Sequence, residues 1–168
     1  MFRRALIATV FSFGLIGAAS AATLHFEASL SGKAEVPATT SPATGEFLGM
    51  LDTVSKTLTY TLTFQGLSGP AGAAHFHGPA AAGANAGVAI AIGKDPASPV
   101  SAKATLTDAQ IAELEAGNWY VNVHTEANKG GEIRGQVMRV KEGSAVMKPA
   151  PKPAPAAPAV APAPVKKP

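Results

Sequence analysis

Residues Lys56–Phe64 alternate without a break. Leu58, Tyr60, Leu62 and Phe64 fall on one side, and Thr57, Thr59, Thr61 and Thr63 on the other. A period of two places successive side chains on opposite faces of an extended chain, and β-branched Thr suits a half-exposed pleat. The pattern recurs at Thr23–Leu30, where Leu24, Phe26, Ala28 and Leu30 oppose His25, Glu27 and Ser29. Shorter strands are predicted at Gly45–Leu51, Ala73–His77, Val88–Ile92 and Val100–Leu106. Gly and Pro punctuate the intervals: Gly32, Pro37 and Pro42, then Gly66–Gly72, Gly78-Pro79, the small-residue stretch Ala80–Gly87, and Asp95–Pro99. About seven short strands with such turns predict an all-β, antiparallel β-sandwich.

One short helix interrupts the strands, at Thr107–Ala116. Thr107 and Gln110 have the spacing of a capping box, Leu106 and Ile111 that of a hydrophobic staple, and Gly117 ends the helix. At that length it must pack on the sheet to persist.

Trp119–Val137, WYVNVHTEANKGGEIRGQV, reads as a β-hairpin. Val121 and Val123 make one face with Tyr120, Asn122 and His124 on the other; beyond the Thr125–Gly131 loop, Ile133 and Val137 alternate with Glu132, Arg134 and Gln136. If His124 stands opposite Glu132, Asn122 faces Arg134, and one polar face gathers His, Asn, Glu and Arg. Upstream, Phe76 takes the core side of its strand, so His75 and His77 project together to the other.

The ends are different material. Residues 1–21 read as a secretory signal peptide: Arg3 and Arg4, an apolar run over Ala5–Gly17, then Ala19-Ser20-Ala21 before the cut. The run is short for a bilayer span, so no stable span is expected after cleavage. Residues 143–168, rich in Pro, Ala and Lys, predict a disordered spacer of polyproline II character. Between them, residues 22–142 form the domain. The overall charge of +3 comes from the ends: the domain holds 8 basic and 11 acidic residues, a net −3. Without a basic patch carrying aromatics, nucleic acid is not an expected partner. The chain has no Cys, hence no lipoprotein signal and no disulfide to support the core. A periplasmic or secreted location follows.

The segments AEVPATTSPATGEF, AHFHGPA and WYVNVHTEANKGGEIRGQV, in that order, resemble the CHRD domain over about Leu24–Arg139. That domain is named after chordin, an extracellular antagonist of growth-factor signalling, and also occurs as single secreted copies in bacteria. The resemblance implies an immunoglobulin-like or superoxide-dismutase-like β-sandwich. Chordin's Cys-rich modules have no counterpart in this Cys-free sequence, so growth-factor binding is not part of the expectation. His75-Phe76-His77 is also similar to the copper-ligand strand of the copper–zinc superoxide dismutases. The full histidine set, the disulfide and a zinc-loop Asp of that family are missing here, and dismutase activity is not expected.

His-X-His on a strand offers two imidazoles to one ion, and His124 is the candidate third ligand; imidazoles suit copper or zinc. Asn122, Glu132 and Arg134 are the candidate supporting residues. The plain alternative is that the histidines hydrogen-bond to loop carbonyls and pin the Gly78-Pro79 turn to the hairpin. Glu132 and Arg134 likewise have an ordinary reading, as an ion pair or solvated face on an edge hairpin. His25 joins the cluster only if the first strand lies beside it. No nucleotide loop, Ser elbow or carboxylate pair is present, so no enzyme is expected. The leading expectation is a non-catalytic protein binding an unknown envelope or extracellular component. A periplasmic copper or zinc protein using His75, His77 and His124 is the alternative, and a metal-dependent redox enzyme the third. Protein isolated from its host should begin near Ala22 by mass spectrometry; an intact Met1 terminus in the membrane fraction would count against export.

Overall fold

The computed structural model describes residues 22–140. The expected signal peptide and Pro-rich tail lie outside the described residues. Each stretch of two-residue period is a strand: β1 Thr23–Ser31, β2 Thr44–Asp52, β3 Thr57–Gln65, β4 Ala71–His77, β5 Val88–Lys94, β6 Val100–Thr105, β7 Trp119–Thr125 and β8 Ile133–Val140. A 3₁₀ turn, Gly32–Ala34, follows β1, and the helix α1, Asp108–Glu115, precedes β7. The helix is capped as its sequence requires. Gln110 N donates to Thr107 Oγ1 at 3.2 Å, and Thr107 N donates to Gln110 Oε1 at 2.9 Å. Leu106 and Leu114 are buried and Ile111 packs against the core.

All strand pairs are antiparallel, in the order β5-β4-β7-β8-β1-β2-β3-β6. Where the sequence predicts two packed layers, the hydrogen bonding runs through one continuous sheet, because β1 pairs with β2 on one side and β8 on the other. The sheet curls nearly into a barrel. Phe47 of β2 and Phe76 of β4 have three strands between them, a separation of roughly 19 Å in a flat sheet at 4.8 Å per strand. Their rings instead meet edge to face, with centroids 5.3 Å apart. Tyr60 meets Phe76 at 5.2 Å, and Trp119 lies 6.0 Å from Phe76 on the far side. The two halves of the sheet thus bury one aromatic core between them.

The curl places the hairpin β7–β8 in the centre of the sheet, flanked by β4 and β1. This corrects the expectation of an edge hairpin with a solvated polar face. Arg134 and Glu132 are 1% and 0% exposed, and they form no pair with each other. The segments around residues 35–41 and 80–87 lie over that face and supply its hydrogen-bond partners. The turn after β4 is held close: a Cβ on Gly78 would strike the Trp119 ring.

Leu62 of β3 is 0% exposed, whereas Thr61 beside it shares only a hydroxyl contact with Ser101 on the outer face. Leu62→Ala should cost about 2–5 kcal/mol in chemical denaturation. Thr61→Ala should cost about 0.5 kcal/mol. Equal losses would invert the face assignment.

Candidate metal centre

His75 and His77 share a face of β4, two residues apart. On β7, Asn122 stands opposite His75, Tyr120 opposite His77, and His124 opposite Ala73. His124 is therefore diagonal to His75, within reach of a side chain across antiparallel strands. One nitrogen from each of the three rings lies within 4.8 Å of the others. His75 Nδ1 and His124 Nε2 are 3.0 Å apart. Beside this patch, β4 shifts register against β5 on both sides of the His75-Phe76 pair, while its register with β7 is regular from Ala73 to His77. Such irregularities re-aim side chains without disturbing the opposite ladder.

The ring protons follow from the partners. His77 Nδ1 is 3.0 Å from Ala86 O, and His124 Nδ1 is 2.9 Å from Lys129 O. A carbonyl only accepts, so each Nδ1 carries a proton and each neutral ring keeps a bare Nε2. His77 Nε2 is buried and has no hydrogen-bond partner. His124 Nε2 faces His75 Nδ1, which must then donate. The reading in which loop carbonyls hold the histidines is thus correct for two of them, at one nitrogen each. Carbonyls in this position also set the tautomer and orientation of imidazole ligands. Burial, followed by the nearness of His124 and His77, lowers the pKa of His75 below its ordinary value. Burial also lowers that of His124, more than the Lys129 carbonyl raises it.

Tyr120 underlies the cluster. Its ring stacks on His77, with centroids 4.7 Å apart and planes 2° from parallel. The Arg134 guanidinium lies 3.3 Å from the same ring centroid. Two planar groups at those distances occupy opposite faces, giving a His77–Tyr120–Arg134 stack. Arg134 then donates to Asn85 Oδ1 at 3.1 Å and Ala84 O at 2.7 Å, which fastens the loop whose Ala86 carbonyl holds His77. Arg134 supports the cluster through Tyr120 and this loop, without touching a histidine by hydrogen bond.

The other candidates are placed differently. Asn122 is buried opposite Arg134 and beside Glu35 of the covering loop; Asn122 Oδ1 and Glu35 Oε1 are both buried without a partner. Burial raises the Glu35 pKa, against the lowering effects of the Val36 backbone, the Arg134 charge and Asn122. Gly131, at φ +129, must lack a Cβ because Glu35 and Asn122 fill that space. Glu132 directs its carboxylate to Ser41, Ser68, Thr125 and Asn128, and none of these is a histidine. The expectation that it supports His124 gives way to one in which it ties three loops together. His25 lies on β1, separated from β4 by β7 and β8, and stays apart from the cluster. Sequence reasoning put Tyr120 on the face of His124 but gave it no part in the cluster, and it did not find the carbonyls of Ala86 and Lys129. The stacking of Tyr120 was open to inference once β4 and β7 were taken as neighbours; backbone carbonyls leave no mark in residue identity.

An all-β sheet curled around an aromatic core, with a histidine triad on its covered face, defines the class. The family model of the CHRD domain matches residues 26–137, and the chain belongs to that family. Neither the curated proteins nor the solved structures contain a match.

Glu132 yields a test of its loop knot. Burial favours the neutral acid, but donors from the Ser41, Ser68 and Thr125 hydroxyls and the Ser68 N–H outweigh it and hold the pKa at about 2. An unfolded Glu titrates near ~4.3. The stabilisation is therefore complete above ~4.3 and is lost as pH falls toward 2. Glu132→Gln should cost about 1.5–3 kcal/mol at pH 7 and flatten the acid limb of a stability profile. An unchanged acid limb would show that the carboxylate is not held as described.

Proposed function

We propose that the chain is an exported, non-catalytic CHRD-domain protein that binds one copper or zinc ion through His75, His77 and His124. One observation carries this reading: a buried, bare His77 Nε2 without a partner, beside two other imidazoles on the same covered face. Leaving a buried acceptor unpaired costs free energy that a bound cation recovers. The donors are three neutral nitrogens with no thiolate, a set suited to Cu(II) or Zn(II) and one that leaves a coordination position open. At 2.0–2.1 Å per bond, tetrahedral ligand nitrogens stand about 3.3 Å apart. Binding therefore draws the widest pair inward and moves the His75 proton from Nδ1, if that nitrogen coordinates, to Nε2. We also read the curled sheet as a flattened sandwich of the superoxide-dismutase or immunoglobulin kind, since its two halves meet through Phe47 and Tyr60 on one side and Phe76 and Trp119 on the other.

The leader and the Pro-rich tail support a periplasmic or secreted location and, as a second reading, attachment to an envelope or extracellular component. Among the described residues, no helix is long and apolar enough to cross a membrane.

Calorimetry with Cu(II) and Zn(II) decides between the readings. One saturable site is expected, weakened at least tenfold by Ala at His75, His77 or His124 and little changed by His25→Ala. Because burial lowers the pKa of His75 and His124, affinity should hold until pH falls below about 6.5 and then decline. No saturable binding would leave the envelope-binding reading.

A further inference from the structure

Arg134 brings a positive charge to the covered face with no carboxylate bound to it. Among the described residues it takes part in no ion pair, and its hydrogen bonds go to the neutral oxygens of Ala84 and Asn85. The register carries that charge toward the histidines. Arg134 stands opposite Asn122, and Asn122 opposite His75, so the three share one face. The guanidinium carbon is 3.3 Å from the centre of the Tyr120 ring, and that centre is 4.7 Å from the centre of the His77 ring. The charge therefore lies within about 8 Å of the ring that presents the bare Nε2. Arg134, Tyr120 and His77 are all buried, so side chains rather than bulk water fill the interval.

Two carboxylates come near enough to count. Glu35 of the covering loop feels the Arg134 charge, yet makes no ion pair with it and keeps Oε1 buried without a partner. Glu132 turns away. Its carboxylate meets Thr125 Oγ1, and Thr125 follows His124 in β7 and so points to the other face. The nearest lysine in sequence to the cluster, Lys129, is exposed and pairs with Glu126.

We propose, on the metal-binding reading of the cluster, that Arg134 shifts its copper couple toward Cu(I), acting through its charge without touching the ion. A fixed cation disfavours a divalent ion more than a monovalent one at the same distance, and a buried charge is screened little by salt. The ligands are three neutral imidazoles, which bring no negative charge to offset it. Tyr120 is the spacer: with an imidazole on one face and the guanidinium on the other, it fixes the distance between charge and ligand.

The test uses the full chain, with copper alone as the probe. Affinities for Cu(I), under ascorbate without oxygen, and for Cu(II) are measured by chelator competition near pH 8, and the potential of the couple is read at an electrode. Arg134→Gln should lower the ratio of Cu(I) to Cu(II) affinity at least tenfold, a fall of about 59 mV or more for a one-electron couple. Arg134→Lys keeps the charge and should hold the ratio of the parent within about threefold. Glu35→Gln replaces the carboxylate with a neutral side chain of the same shape and should move the ratio the opposite way. A role in packing alone would move the glutamine variants in the same direction; opposite signs require charge. The proposal is overturned if Arg134→Gln binds copper with the potential of the parent, or if Glu35→Gln fails to raise it. Should Arg134→Gln not fold, Glu35→Gln decides alone. A parent that binds no copper overturns the metal reading itself, whereas copper bound at an unmoved potential overturns only the role of Arg134.

Discussion

Arg134 is a fully buried cation, and the covered face of the sheet is arranged around it. A buried charge is tolerated only when its hydrogen bonds are met. Here the donors are met by Ala84 O and Asn85 Oδ1, and the flat face by Tyr120. Asn85 in turn donates to Val36 O at 2.9 Å, which joins the two covering loops to each other. Moving the guanidinium would release the loop, and with it the Ala86 carbonyl that sets the proton on His77. The strand order gathers the histidines, and the tautomer of His77 follows from how one cation is buried in the middle of the sheet.

The inward face was legible in the sequence because burial there follows a period of two. Leu58, Tyr60, Leu62, Val121 and Val123 all lie where alternation puts them. The capping box of α1 was equally plain, since it is a local pairing of two side chains with two backbone groups. The curl of the sheet was not legible. It depends on β1 pairing with both β2 and β8, a long-range choice that alternation does not encode. The burial of Arg134 and Glu132 was missed for the same reason. Polar residues alternating with Val and Ile look the same whether water or another loop lies over them. The histidines could be placed on a common face from spacing alone, but the adjacency of β4 and β7, which brings His124 to His75, came only with the strand order.

Glu132 and Arg134 show how position decides the fate of two charges that sequence would pair. They are two residues apart, yet each faces a different loop. Glu132 precedes β8 and collects hydroxyl and amide donors from Ser41, Ser68, Thr125 and Asn128, a set that favours the carboxylate despite complete burial. Arg134 lies within β8 and collects carbonyl oxygens and a π face. Neither neutralises the other, so each acts as a local organiser, one at the hairpin loop and one beneath the histidines.

The stretch Ala80–Gly87 reads in sequence as loose and featureless, and its small side chains turn out to be what the site requires. The carbonyls of Ala80, Ala84 and Ala86 accept from Gln136, Arg134 and His77 respectively. Three main-chain oxygens reach down to three side chains on β4 and β8 only because nothing larger than a methyl group, apart from Asn85, stands between the loop and the sheet. Asn85 is the exception because its amide both accepts from Arg134 and donates to Val36 O. A segment poor in chemistry by residue type is therefore rich in chemistry by backbone, and it is the backbone that leaves His77 Nε2 bare.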